Sequence, residues 1–175
     1  MKPFRIRELQ MTDVQALLAF ETHNREWFES QIDARAPAFY SWTGVTEHIE
    51  GYLADFAVGV WHPFVIEDAS GRIVGRANLK GIHSPCGCAE VGYRIDQRAC
   101  GQGLATQALK HLIEAARMRW GLTQLVAYVY EHNIGSRKVL ERCGFVPEAL
   151  SCDHQAGSSS RWCKTIQVEL PTIQS

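Results

Sequence analysis

The sequence predicts a single α/β domain, residues 1–175, built on a mixed sheet with helices on both faces. Its 175 residues fit one domain, and an apolar share of 46% is ample for one core. The first half strings strand-like runs together, and the second alternates strand and helix patterns as β-α-β-α-β, the order of a mixed layered sheet. The third observation is the segment Cys88 to Ala105, CAEVGYRIDQRACGQGLA. A strand-like run carrying the lone acid Glu90 ends at Asp96, passes through Arg98-Ala99-Cys100-Gly101-Gln102-Gly103, and opens into a long amphipathic helix. Glycines at a strand-to-helix turn let bare backbone approach a ligand, and the free N–H groups and dipole of the helix start favour phosphate. A candidate base beside an anion cradle points to a group-transfer enzyme that uses a phosphate-bearing carrier.

The elements follow in order. Phe4–Leu9 alternates as a strand, and Thr12 is placed to cap a helix whose apolar side carries Val14, Leu17, Leu18 and Phe20. Asn24–Ser41 is aromatic and mixed, and is read as a short helix plus loop. Thr43 or Thr46 starts a helix through Ile49, Tyr52, Leu53 and Phe56. Val58–Glu67 and Arg72–Ile82 read as a hairpin around the turn Asp68–Gly71, with Glu90–Ile95 as the next strand. Gly103–Arg119 has helical spacing at Leu104, Ala108 and Leu112, with Leu109 and Ile113 beside them. Leu125–Tyr130 is a β-branched and aromatic strand, and Ile134–Arg142 a short helix stopped by Gly144. Phe145–Ser151 and the alternating Arg161–Leu170 complete the sheet. Neither a repeat nor a linker divides the chain; Gly157-Ser158-Ser159-Ser160 is too short to be one.

A net charge of −1 gives no electrostatic case for nucleic acid or a membrane surface. No apolar run approaches the ~20 residues that span a bilayer, and the first ten residues, MKPFRIRELQ, lack a signal peptide's apolar stretch. Cysteines 86, 88, 100, 143, 152 and 163 show no CxxC pair and read as reduced thiols, so a cytoplasmic location is expected. Cys86-Gly87-Cys88 near His83 is read as a turn between strands rather than a metal cluster, because one residue between cysteines is poor zinc spacing; no metal is expected.

Gly101-Gln102-Gly103 also resembles the start of a dinucleotide-binding GxGxxG, but Thr106 takes the third glycine position and Gly101 comes five positions after Asp96. Glu131 lies too far on to serve as the ribose-binding acid of that motif. The surroundings favour another cradle. Arg98-x-x-Gly101-x-Gly103 with Leu104-Ala105 resembles the coenzyme A loop of the GNAT N-acetyltransferase superfamily. Ala89-Glu90-Val91-Gly92-Tyr93 looks like that family's central strand, and Asn133-x-x-Ser136-x-x-Val139-Leu140-x-x-x-Gly144-Phe145 resembles its second half. The run Asn24-Arg25-Glu26-Trp27-Phe28, followed by Arg35 and Phe39-Tyr40, is similar to the branch that acetylates ribosomal-protein N-termini.

The resemblance implies a GNAT-like sheet, mostly antiparallel and splayed at the central strand, and an acetyl-CoA-dependent enzyme. It implies that the carrier's pyrophosphate rests on backbone N–H groups from Arg98 through Cys100, Gly101, Gln102 and Gly103 to Leu104 and Ala105, with Arg98 adding charge. It implies that the pantetheine arm lies beside Tyr93, Arg94 and Ile95, where a β-bulge splays the sheet, and that Asn133 bonds the arm or caps its helix. Glu90 is implied as general base, helped by apolar neighbours that raise its pKa; the bland reading is an exposed acid on a strand. Many relatives protonate the leaving thiolate with a tyrosine at the position that is Leu140 here. Ser136 is the candidate replacement, or else a first-turn serine bonded to its own backbone.

Cys100 is read as a packing residue, and Arg137 and Lys138 as a solvated helix face. Trp27, Phe28, Phe39 and Tyr40 line an acceptor pocket or pack the core; Asp153 and His154 are spare acceptor contacts. The expected reaction moves acetyl from acetyl-CoA to a primary amine by direct attack, with a protein N-terminal α-amine preferred over a small molecule. A non-catalytic acyl-CoA sensor is the alternative from another class. The expected partner is an amine acceptor, without nucleic acid or membrane, for a monomer or homodimer.

Overall fold

Local patterning sets most of the chain's elements, and the computed structural model describes residues 3–83, 85–148 and 159–166. Strands are β1 (Arg5–Glu8), β2 (Trp61–Glu67), β3 (Ile73–His83), β4 (Cys88–Ile95), β5 (Gln124–Tyr130), β6 (Val146–Pro147) and β7 (Ser159–Thr165). Helices are α1 (Val14–His23), α2 (Arg25–Glu29), α3 (Trp42–Ala57), α4 (Leu104–Met118) and α5 (Ile134–Arg142). The described strands form one sheet in the order β1-β2-β3-β4-β5-β7-β6. Neighbours are antiparallel except β4 and β5, which run parallel because α4 crosses between them.

Both faces of the sheet are covered, so β2 and β3 are buried on both sides rather than alternating. Phe64, Ile66, Ala77 and Leu79 pack with Leu104, Ala108, Leu112 and Ala116 of α4 on one face. Val65 and Ile73 pack with Leu17 and Phe20 of α1 and Val45 and Ile49 of α3 on the other. This matches the expected fold class: mixed, mostly antiparallel, flanked by helices and parted at the centre.

Several boundaries differ from the sequence reading. Thr12 does not cap α1; it lies in a 3₁₀ turn, Met11–Asp13, where the Asp13 carboxylate accepts the Gln10 N–H at 2.8 Å and is gripped by Arg7. Neither Thr43 nor Thr46 starts α3, because Ser41, in extended backbone, already accepts the Gly44 N–H at 2.9 Å. Val58–Val60 belong to the exit from α3, not to a strand. The α5 end is as read: left-handed Gly144 lets its N–H reach the Glu141 carbonyl and the Phe145 N–H reach that of Leu140, a Schellman stop. The strand after it is only Val146–Pro147, and residues 149–151 and 167–170 of the two expected closing strands lie outside the described residues.

Two further expectations are overturned. Cys86 and Cys88 are not reduced thiols but share a disulfide: left-handed Gly87 turns the chain so that their Cα atoms stand 5.5 Å apart. Cys100, Cys143 and Cys163 are free, and Cys152 lies outside the described residues. The β3–β4 ladder is also regular from Gly75↔Ile95 to Lys80↔Glu90, so no bulge marks Tyr93–Ile95 there. The irregularity falls between Lys80 and His83, where the disulfide-closed turn begins, and the splay has a different origin.

Candidate active site

The splay begins at Glu90. β4 pairs with β5 only at Cys88↔Gln124, Ala89↔Leu125 and Glu90↔Val126; past that point β4 continues to Ile95 and β5 to Tyr130 without meeting. Between them opens a cleft of about 810 Å³, closed on one side by α2 and the segment after it and on another by α5. Parted strands leave backbone groups free along the cleft, a template for an extended ligand.

The glycine loop closes one end. Asp96, buried, accepts the Arg98 N–H at 2.9 Å, and a 3₁₀ turn over Gln97–Ala99 leads to Gly101 and Gly103, at φ 81° and 79°. Left-handed backbone is what L side chains avoid, and nothing stands within 4 Å of where a Cβ would be at either glycine. That open backbone at the start of α4 is the shape an anion cradle needs. Asn24, at the end of α1, braces the loop by accepting the Gln97 N–H at 3.0 Å. Cys100, Gly101, Gly103, Leu104 and Ala105 line the cleft, as do Tyr93, Arg94 and Ile95 of β4 and Asn133, which precedes α5.

Two loop residues do not. Arg98 is 58% exposed, lies 3.7 Å from Asp96, and with Gln102 lines a separate depression beside Pro3, Phe4 and Arg72. The turn that presents Gly101 and Gly103 sends the intervening side chains the other way. Cys100 is exposed rather than packed; burial of its sulfur, then the Asp96 charge, push its thiol up rather than activating it. Asn133 caps α5 by accepting the Ser136 N–H at 3.3 Å.

Glu90 and Ser136 both line the cleft, from β4 and α5. The Glu90 carboxylate is partly buried, 37% exposed, and stands 4.0 Å from the ammonium of Lys80, its cross-strand partner. Lys80 folds over Gly92, where an added Cβ would meet its Nζ at 2.8 Å. Burial lowers the pKa of Lys80, against the opposing pull of Glu90. Leu140 is fully enclosed, so no hydroxyl comes from that position. One does come from Tyr93, which sequence reading used only for its backbone: its hydroxyl is buried beside Ser136, with no partner in full hydrogen-bond geometry. Burial pushes this phenol up to about 12, with neighbouring Ser136 pulling weakly the other way.

Of the aromatic candidates, Trp27 and Phe28 line the cleft, whereas Phe39 and Tyr40 pack against each other and against Arg35 and Arg25. Lys138 lines it and Arg137 does not. Asp153 and His154 lie outside the described residues.

A polar cluster next to the cleft has no local sequence signal. Glu21, fully buried on α1, receives Arg76 at 2.8 Å, Arg94 at 2.9 Å and Arg35 at 3.4 Å. Burial alone would raise its carboxyl, but Arg76, then Arg94 and Arg35, outweigh that and hold it near about 2. Arg76 also meets the His48 ring at 2.8 Å, and burial followed by the Arg76 and Arg35 charges lowers His48 to about 3, so it is neutral. No three His, Cys, Asp or Glu side chains among the described residues are grouped to hold a metal, and no described helix is long and apolar enough to cross a membrane.

Strands parted beside a glycine loop, with an acid on the central strand, define an acyl-carrier transferase. The chain belongs to the GNAT acetyltransferases: the model of the acetyltransferase (GNAT) domain matches residues 4–146. A probable N-acetyltransferase of Bacillus subtilis, YjcK, is 30% identical over 152 residues, covering 86% of this chain and 84% of that one. Among solved structures, the ribosomal-protein-S5-alanine acetyltransferase of Vibrio fischeri superposes with a TM-score of 0.86 at 21% identity, over 94% of each chain. The spermidine N-acetyltransferase of Vibrio cholerae, in complex with coenzyme A and spermine, does so at 0.73 and 20%, over 93% and 95%. The protein is an acetyl-CoA-dependent N-acetyltransferase acting on amines.

Proposed function

We propose that the acceptor is a protein N-terminal α-amine of the ribosomal-protein kind, acetylated by direct attack with Glu90 as general base. The observation that carries this reading is the placement of Glu90 where β4 and β5 separate, on the wall of the same cleft as the glycine loop and Ser136. The amine nitrogen attacks the thioester carbonyl, the C–S bond breaks, and the proton leaves nitrogen for the Glu90 carboxylate, directly or through water. A backbone N–H of Tyr93–Ile95 faces the thioester oxygen; such a donor is worth ~3–4 kcal/mol in other enzymes. Ser136 gives its hydroxyl proton to the departing thiolate and recovers one from solvent. The fold likeness to an S5-alanine acetyltransferase supports the protein acceptor, and a ribosomal acceptor places the reaction in the cytoplasm.

The likeness to a spermidine acetyltransferase keeps a small-molecule amine as the second reading. An acetylation screen with N-terminal peptides, polyamines and aminoglycosides decides between them. Peptides should be turned over with the higher kcat/KM; a clear preference for a small amine rejects the protein acceptor and leaves Glu90 and the carrier loop in place.

A further inference from the structure

The charges around the acceptor end of the cleft do not balance. Four cations, Arg35, Arg76, Arg94 and Lys80, gather there against the carboxylates Glu21 and Glu90, with Asp33 at the rim held by the Tyr130 hydroxyl at 2.6 Å. Arg76 is fully buried and has Glu21 at 2.8 Å, so that pair is close to neutral by itself. Arg94 takes the second Glu21 oxygen at 2.9 Å, so Arg35 must share the first with Arg76. Arg35 reaches it only at 3.4 Å and keeps a buried Nε with no hydrogen-bond partner. Arg94 is mostly buried against the Phe28 ring, and burial lowers its pKa to about 10, more than Glu21 can offset. His48 adds no charge because it is neutral.

Burying cations beyond what nearby carboxylates neutralise is costly, and three guanidinium groups on the one Glu21 carboxylate leave this wall short of negative charge. The two guanidinium groups with residual exposure, Arg35 and Arg94, both line the cleft. Both meet Glu21 on the side of the sheet that α1 and α3 cover. The glycine loop opens into α4, which packs on one face of the sheet, whereas Glu21 of α1 and His48 of α3 belong to elements on the other face. Trp27 and Phe28, the aromatic wall of the cleft, come from α2 on this second side.

We infer that the acceptor carries, close to its amine, an anionic group, a carboxylate or a phosphate, that docks on Arg35 and Arg94. The inference rests on reading the cleft as an amine-acetylating site. Guanidinium forks suit both oxyanions, and a polycationic amine meets Arg35, Arg94 and Lys80 as like charges. Glu90 then takes the proton at one end of the acceptor while the arginines fix the other, which orients the nitrogen at the thioester.

The test pairs acceptors that differ only in charge: N-terminal aspartyl against asparaginyl peptides for the carboxylate, phosphoseryl against seryl peptides for the phosphate, and spermidine as the cation. The wild-type enzyme should favour at least one anionic member by roughly 10-fold or more in kcat/KM, the size of a charge-assisted hydrogen bond. Arg35→Gln should shrink that ratio to within ~3-fold, and Arg35→Lys should restore part of it, as expected when charge is what is read. Equal or better use of the neutral peptides, or of spermidine, by the wild-type enzyme overturns the inference. A second measurement reads the anion site without turnover: with coenzyme A saturating the loop, inorganic phosphate and succinate should raise the melting temperature of the wild-type protein but not of Arg35→Gln. If acetyl-CoA binds yet no amine is acetylated, the proposed function fails while this melt still decides the anion site; equal melts for both proteins, or no shift in either, reject it.

Discussion

Lys80, 4.0 Å from Glu90, shapes what the proposed base does. A neighbouring cation repels an incoming ammonium, so the amine profits from arriving deprotonated. Glu90→Gln should therefore lower turnover by ~10²–10⁴-fold near pH 7, with acetyl-CoA affinity unchanged and the deficit shrinking as pH rises. Turnover within threefold of wild type at pH 7 returns Glu90 to an ordinary strand acid. Ser136→Ala should reduce kcat by ~10- to 100-fold, about 1.4–2.7 kcal/mol of barrier, while leaving acetyl-CoA affinity nearly intact. Ser136 donates its backbone N–H, not its hydroxyl, to the Asn133 cap, so a stability loss with normal kcat would mark it as structural. His48 supplies a pH signature of the buried cluster. Its folded pKa is lowered to about 3 from 6.5, so between these values the unfolded chain binds the extra proton and stability falls as pH drops through that window. Glu21, held near about 2, adds to the loss only below about 4.5. His48→Gln should flatten the decline between pH 6.5 and 5, by about 2 kcal/mol at pH 5 on the linkage scale, as read from urea midpoints. Parallel wild-type and variant curves across that range would contradict the assignment.

At the scale of elements, the strand-loop-helix unit β4–α4 is the proposed seat of the carrier, and short sequence patterns announce it. Its glycines stand at positive φ with open space around them, so a side chain there is strained and, on the proposed reading, would project where the carrier's phosphate approaches. Gly101→Val should abolish stabilisation by acetyl-CoA while the apo protein still unfolds cooperatively; a retained thermal shift would place the pyrophosphate elsewhere. The loop was legible in the sequence because the turn chemistry of glycine is local. The directions of Arg98 and Gln102 were not, since they depend on how Asp96 and the 3₁₀ turn orient each successive residue. The threonine caps failed for a similar reason: Ser41 already accepts the Gly44 N–H at the start of α3, and Thr12 lies inside a 3₁₀ turn fixed by the Asp13 carboxylate on the Gln10 N–H.

For the whole molecule, the sheet is covered on both faces but parted at one seam, and on the proposed reading a ligand in that seam would tie β4, the loop and α5 together. Acetyl-CoA at ~100-fold over its dissociation constant should stabilise the fold by ~2.7 kcal/mol, and NAD should give no comparable shift. Equal melting shifts with both would reject the carrier assignment. The sequence by itself determined the order of strands and helices, the glycine loop, the α5 helix with its Gly144-Phe145 stop, and the pairing of β2 with β3. Each of these rests on periodicity, capping or turn preferences that act within a few residues. Only the tertiary structure decided where β4 and β5 separate, that Lys80 faces Glu90, and that Glu21 gathers arginines from positions 35, 76 and 94. Those residues lie far apart along the chain, and no local preference links them. Burial brings them together, because a carboxylate removed from water must find its cations wherever the packed sheet supplies them.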